Sequence, residues 1–95
     1  MRLVWAAAAL RDLAAARAYI AHDNEPAADD QIDRILTAVT RLLRFPEIGR
    51  PGRREGTREL VVNRTPYIAA YRLRGDLIEI LRVLHARQRW PERLE

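Results

Sequence analysis

The stretch Leu77 to Leu84, "LIEILRVL", carries apolar residues on both parities of a strand: Ile78, Ile80 and Leu84 on one, Leu77, Leu81 and Val83 on the other. Side chains of a strand alternate between the two faces of its sheet. A run of this kind therefore describes a central strand covered on both sides, with Glu79 and Arg82 as the polar exceptions. The chain must supply that cover from 95 residues, enough for one modest core and too few for two. Residues 1–95 are accordingly expected to form a single domain, and the fold turns on where the two covering layers come from.

One layer is legible upstream. Arg2 to Trp5 is short, apolar and partly β-branched, a first strand. Ala6 to about His22 is rich in strong helix formers, with Leu10, Leu13, Ala14 and Ile20 approximating an apolar stripe and Arg17 at its edge. The stretch His22-Asp23-Asn24-Glu25-Pro26 breaks that helix, and Pro26 suits the first turn of the next. Ile32, Ile35, Leu36, Val39, Leu42 and Leu43 then follow helical spacing. Asp29, Asp30 and Asp33 lie toward its start and Arg41 and Arg44 toward its end, an order that complements the helix dipole. Two such helices with a short break between them predict an antiparallel hairpin.

Residues 45–56, "FPEIGRPGRREG", hold two prolines and three glycines and read as a loop. Beyond it lie three strand-like runs: Thr57 to Asn63, Tyr67 to Arg74 and Leu77 to Leu84. Arg64-Thr65-Pro66 connects the first pair, and Gly75-Asp76 fits a tight hairpin turn between the second pair. The expected class is α+β in the order β-α-α-β-β-β, with the helical hairpin packed on one face of a small, mostly antiparallel sheet. One hairpin covers one face. The other face or an edge is expected to be solvated or to await a partner.

Composition excludes several classes. With no cysteine and only His22 and His85, far apart, neither a disulfide framework nor a metal centre is expected, and no cofactor is implied. The start imitates a signal peptide only until Arg11-Asp12 interrupts it, and no stretch approaches the ~20 apolar residues of a membrane span. A cytoplasmic protein without a membrane partner is expected. The 17 basic residues are all arginine. Residues 1–49 carry six of them against seven acids, whereas residues 50–95 carry eleven against six. The positive field belongs to the second half, concentrated in "RPGRREGTR" (50–58) and "HARQRWPER" (85–93). Arginine beside tryptophan suits a macromolecular partner, and the two clusters bracket the sheet in sequence, which leaves open whether they converge on one edge.

Taken in order, Tyr19-Ile20 followed by the break at Asn24–Pro26, then "FPEIGRPG" (45–52), "RELVV" (58–62), "YIAAYR" (67–72) and "ILRVLHARQRWP" (80–91), the chain resembles the RelE/ParE superfamily of small toxins from bacterial toxin–antitoxin pairs. The likeness runs over nearly its full length and lies closer to ParE. It implies one of two activities. ParE-like members poison DNA gyrase, whereas RelE-like members are ribosome-dependent endonucleases that cut messenger RNA.

Metal-free RNA cleavage needs a base, an acid and cations around the phosphorus. In RelE-like enzymes the resemblance assigns these roles to lysines and arginines of the middle strands and to residues after the last strand, with a Glu and a His serving in some relatives. Here His85, Arg87 and Glu59 are the nuclease candidates. Against them, Ile68 follows Tyr67 where an arginine is expected, Glu59 and Val61 stand where RelE has lysines, and Ala86 rather than an aromatic follows His85. The phosphate clamp is incomplete, which favours the gyrase reading, with Arg87, Arg89 and Trp90 as target-binding candidates. Trp90-Pro91 also reads as a lid over the end of the core. Arg58 and Glu59 fall on opposite faces, Arg58 as a brace pairing an acid. The resemblance further implies a cognate antitoxin, ParD-like or other, forming a hetero-oligomer through an acidic, partly helical segment laid on the hairpin groove. Leu10, Leu13 and Arg17 are the candidates on this side, and an added strand is the accompanying expectation.

Overall fold

A computed structural model describes residues 1–94. Strand β1 (Arg2–Trp5) leads into α1 (Ala7–Ala21) and α2 (Glu25–Thr40), which a single 3-10 turn at Arg41–Leu43 extends. Then come β2 (Arg50–Pro51), β3 (Arg58–Val61), β4 (Tyr67–Arg74) and β5 (Leu77–His85). The sheet order is β1-β5-β4-β3-β2, with β1 parallel to β5 and every other pair antiparallel. The α+β order and helical hairpin hold as read, and β2 is an addition. It lies inside the segment expected to be loop, where Arg50 and Pro51 pair with Glu59 and Arg58. Proline is admissible there because β2 forms the sheet's edge.

The break between the helices is chemically explicit. The Asn24 side chain accepts the Ala27 N–H at 3.0 Å and caps α2, with Pro26 in its first turn. On α2, Ile35, Val39 and Leu42 are fully buried, while Leu36 and Leu43 are exposed. On α1 the buried line is Ala9 and Ala16, with Leu13 and Ile20 packed at its margin, whereas Leu10 is 52% exposed. The expected stripe through Leu10 and Ala14 is therefore rotated. The hairpin approaches the sheet through alanines, which let α1 lie close over β5.

In β5 a bulge opposite Ala70 and Tyr71 leaves Leu81 as the extra residue. The parity then resets: Ile78, Ile80 and Val83 face the hairpin, while Leu81 and Leu84 face the other side. That second face is covered by the chain itself, correcting the expectation that it is solvated or awaits a partner. Residues 86–94 fold back so that Trp90 and Leu94 pack on Ile68, Ala70, Leu81 and Leu84. Tyr67 and Tyr71 share the hairpin face as expected. The Tyr71 hydroxyl donates to the Pro46 carbonyl at 2.8 Å and accepts the Gly49 N–H at 2.9 Å, anchoring the loop that leads into β2. A methyl on Gly49 would sit 2.6 Å from that ring, so the loop's close approach needs glycine here.

Candidate target-binding surface

Two basic clusters distant in sequence meet on the tail. The Arg53 guanidinium lies 3.5 Å above the centre of the Trp90 ring, a cation–π stack. Arg54 donates to the Pro91 carbonyl at 3.1 and 2.7 Å. Trp90 is only 8% exposed and its indole N–H reaches toward the His85 carbonyl at 3.4 Å. Its aromatic area is thus spent on the protein's own sheet. This is the lid read from Trp90-Pro91, set over the second core, and its burial leaves little of the ring free for the target contact expected of it.

Arg53 is held from its other side by Glu59. That carboxylate, 4% exposed, accepts the Arg53 backbone N–H at 2.8 Å, the Arg53 side chain at 3.0 Å and the Arg50 side chain at 3.1 Å. Burial alone would raise its pKa, but the hydrogen bonds from Arg53 and Arg50 outweigh burial and hold it below the ordinary carboxylate value. A carboxylate fixed in this way shapes the loop and supports the stack on Trp90. Because the folded pKa is depressed, its stabilising contribution is complete above the unfolded value of about 4.5 and is lost as pH falls through the lower folded value. Glu59→Gln should cost about 1–2 kcal/mol at neutral pH and flatten the acid limb of stability. Urea denaturation at pH 7 and at successive pH values below 4.5 checks both effects.

The three nuclease candidates are not brought to one place. Glu59 pairs with Ala70 and His85 with Tyr67, positions three apart on β4, so their side chains leave opposite faces of the sheet. His85 meets Tyr67 edge-on with ring centroids 5.6 Å apart, and its Nδ1 accepts the Arg87 backbone N–H at 3.0 Å. Asp12, Ala15, Ala16, Tyr19, Tyr67, Val83 and Gln88 line with it a hollow of about 410 Å³ that holds no guanidinium. Glu59 belongs to the other side, locked by arginines.

The remaining candidates sort by what engages them. Arg87 and Arg89 are exposed, and among the described residues their side chains have no ion pair or hydrogen bond. Leu10 is open to solvent, Leu13 packs partly on the core, and Arg17 pairs with Asp29 at 2.9 Å across the hairpin. Arg58 does not pair with an acid as expected but donates to the Glu47 and Gly49 carbonyls at 3.1 and 2.8 Å. Sequence reasoning also missed an apolar strip made by Leu36, Phe45, Ile48 and Val61 beside the open part of the β3 edge. Its signal was the surplus of apolar positions on α2 beyond one face. Among the described residues no cluster able to hold a metal occurs, and no helix is long and apolar enough to cross a membrane.

A small sheet carrying an alanine-faced hairpin and an arginine-flanked tail defines a class when set beside known proteins. A solved chain described as the chromosomal ParDE TA system from P. aeruginosa superposes with a TM-score of 0.80 and 31% identity, covering 90% of this chain and 95% of that one. Y4kP of Sinorhizobium fredii, named as a candidate toxin, is 48% identical over 91 residues, 96% of this chain and 94% of the relative. Toxin RelE2 of Caulobacter vibrioides is 39% identical over 85 residues, 90% of this chain and 94% of the relative. The class is that of type II toxin–antitoxin toxins. Residues 3–90 match the model for the ParE toxin of type II toxin–antitoxin systems, parDE, and the chain belongs to that family.

Proposed function

We propose that this toxin acts in the cytoplasm, as one domain over residues 1–95, by inhibiting DNA gyrase, and that a cognate ParD-like antitoxin neutralises it. The observation that carries the reading is the separation of Glu59 and His85 onto opposite faces while Arg87 and Arg89 stand free. Cleavage needs an acid, a base and cations converging on one phosphate. Binding a large target needs only a presented, complementary surface. The tail supplies it: Arg53, Arg54 and Trp90 fix the backbone from which Arg87 and Arg89 project.

The antitoxin's seat follows from the hairpin and its neighbours. Leu10 on α1, and Leu36 with Phe45, Ile48 and Val61 beyond α2, leave apolar area that a folded-on-binding segment can cover, and the open β3 edge accepts an added strand. An acidic segment gains speed of encounter from the net charge of +4.

The decisive experiment is expression in cells with DNA breaks and messenger RNA cuts followed in time, alongside supercoiling by purified gyrase. DNA damage first, with supercoiling inhibited, is the expected outcome. RNA cuts first, with supercoiling untouched, would sink the proposal. At residue level, Arg87→Ala with Arg89→Ala should weaken inhibition roughly a hundredfold at unchanged melting temperature, taking about tenfold for each exposed interface cation. His85→Ala should leave inhibition within about twofold, since its contacts are to Tyr67 and the Arg87 backbone.

A further inference from the structure

We propose that Arg64, in the turn between β3 and β4, is a target-binding residue that extends the arginine surface beyond the tail and engages an acidic protein surface of the target. The inference rests on the reading above that gyrase is that target. Arg64 adopts φ +64°, a left-handed conformation that L side chains disfavour. The other two positive-φ positions among the described residues, Gly56 and Gly75, are glycines. A residue with a long cationic side chain stands where glycine or asparagine would fit the backbone better, and strain of this kind gathers where a side chain has work outside the fold. Inside the fold Arg64 does none: it is exposed, and among the described residues its side chain makes no hydrogen bond or ion pair.

Its position gives the strain a purpose. Thr65 closes the turn, its hydroxyl donating to the Val62 carbonyl at 2.9 Å and accepting the Tyr67 N–H at 3.1 Å. Pro66 then accepts the Ala86 N–H at 2.8 Å, tying this turn to the root of the tail. Arg64 and Arg87 thus emerge from two backbone segments joined by that bond, at the end of the sheet where β4 begins and β5 finishes. Tyr19, 79% exposed, shares the hollow at this end with Tyr67, His85 and Gln88. The carboxylate among the lining residues, Asp12, is already engaged by Arg82. An exposed tyrosine at the same end of the sheet as the unpaired Arg64 and Arg87 has the composition of an energetic anchor in protein interfaces. Phosphate contacts alone would not need the tyrosine.

The test uses the whole protein as wild type, Arg64→Gly and Arg64→Lys. Glycine relieves the backbone and removes the cation, whereas lysine keeps the charge. Arg64→Gly is expected to melt no lower than wild type, yet to bind DNA-free gyrase and inhibit supercoiling about tenfold more weakly. Arg64→Lys is expected to recover most of that loss. The proposal is overturned if Arg64→Gly inhibits like wild type, or if its loss comes with a lower melting temperature, which marks a structural role. It is also overturned if affinity falls only for gyrase carrying DNA, which assigns the contact to nucleic acid. Wild type failing to inhibit gyrase at all would instead remove the gyrase reading. Growth arrest on expression then decides Arg64, with an arrest equal to wild type by Arg64→Gly counting against it.

Discussion

Trp90→Ala is expected to lower the stability of this toxin by about 3–5 kcal/mol, the usual cost of emptying a large aromatic site. The ring fills the space between the second face of the sheet and the returning tail, against Ile68, Ala70, Leu81, Leu84 and Leu94. Alanine would leave that space void and strip Arg53 of its stacking partner. The tail would then be held by Leu94 and by the bonds from Arg54 to the Pro91 carbonyl. A domain of this size has ~5–15 kcal/mol in total, so the variant stays folded only in part near its lower bound. Trp90→Phe keeps most of the buried area and should cost about 1–2 kcal/mol. Under the function proposed above, gyrase inhibition should fall with Trp90→Ala by more than the lost folded fraction, because the backbone that carries Arg87 and Arg89 is no longer held. Chemical denaturation and supercoiling assays on both variants measure the two effects separately. A cost under about 1 kcal/mol for Trp90→Ala would mean that the tail is not docked in solution.

The hairpin and four of the five strands were legible because their signals are periodic. Asn24-Pro26 announced the helix start, and the Gly75-Asp76 turn, with Gly75 at φ +57°, announced the last hairpin. What escaped notice had no period to find. The register of α1 was obscured because alanine is compatible with either face, so Ala9 and Ala16 carried no more signal than the exposed Ala14. The edge strand β2 is two residues long and contains a proline. The second covering layer is a tail whose apolar content is Trp90 and Leu94 amid charged neighbours, a pattern shared by solvated ends. The candidate site suffered most from missing register. Arg87 and Arg89 are exposed on the tail, but whether Glu59 could reach His85 depended on pairing with Ala70 and Tyr67, which spacing along the chain does not encode. The bulge at Leu81 likewise shifted Val83 and Leu84 to faces that strict alternation assigns the other way.

Asp12→Ala is expected to cost about 3 kcal/mol, through a device that protects the edge of the central sheet. Strand β1 ends at Trp5, and its last bond to β5 is from the Ala6 N–H to the Ile80 carbonyl at 2.9 Å. Strand β5 continues to His85, so its outer edge would be open from there onward, a hazard for pairing between chains. The Asp12 carboxylate comes down from α1 and accepts the Val83 N–H at 2.9 Å and the Arg82 guanidinium at 2.7 and 2.9 Å. Both side chains of the ion pair are largely buried, so alanine would leave a donor and a cation without a partner in a poorly hydrated place. Asp12→Asn retains one acceptor and should cost about half as much. Arg82→Met should partly rescue Asp12→Ala, because it removes the orphaned charge, with a coupling of about 1–2 kcal/mol in a double-mutant cycle. Amide exchange reports the mechanism directly. In Asp12→Ala the Val83 N–H should lose protection while the Ala6 N–H, bonded to Ile80, keeps its own, since β1 is untouched. Equal loss at both would mean that the variant acts by loosening the whole hairpin rather than by uncapping the edge.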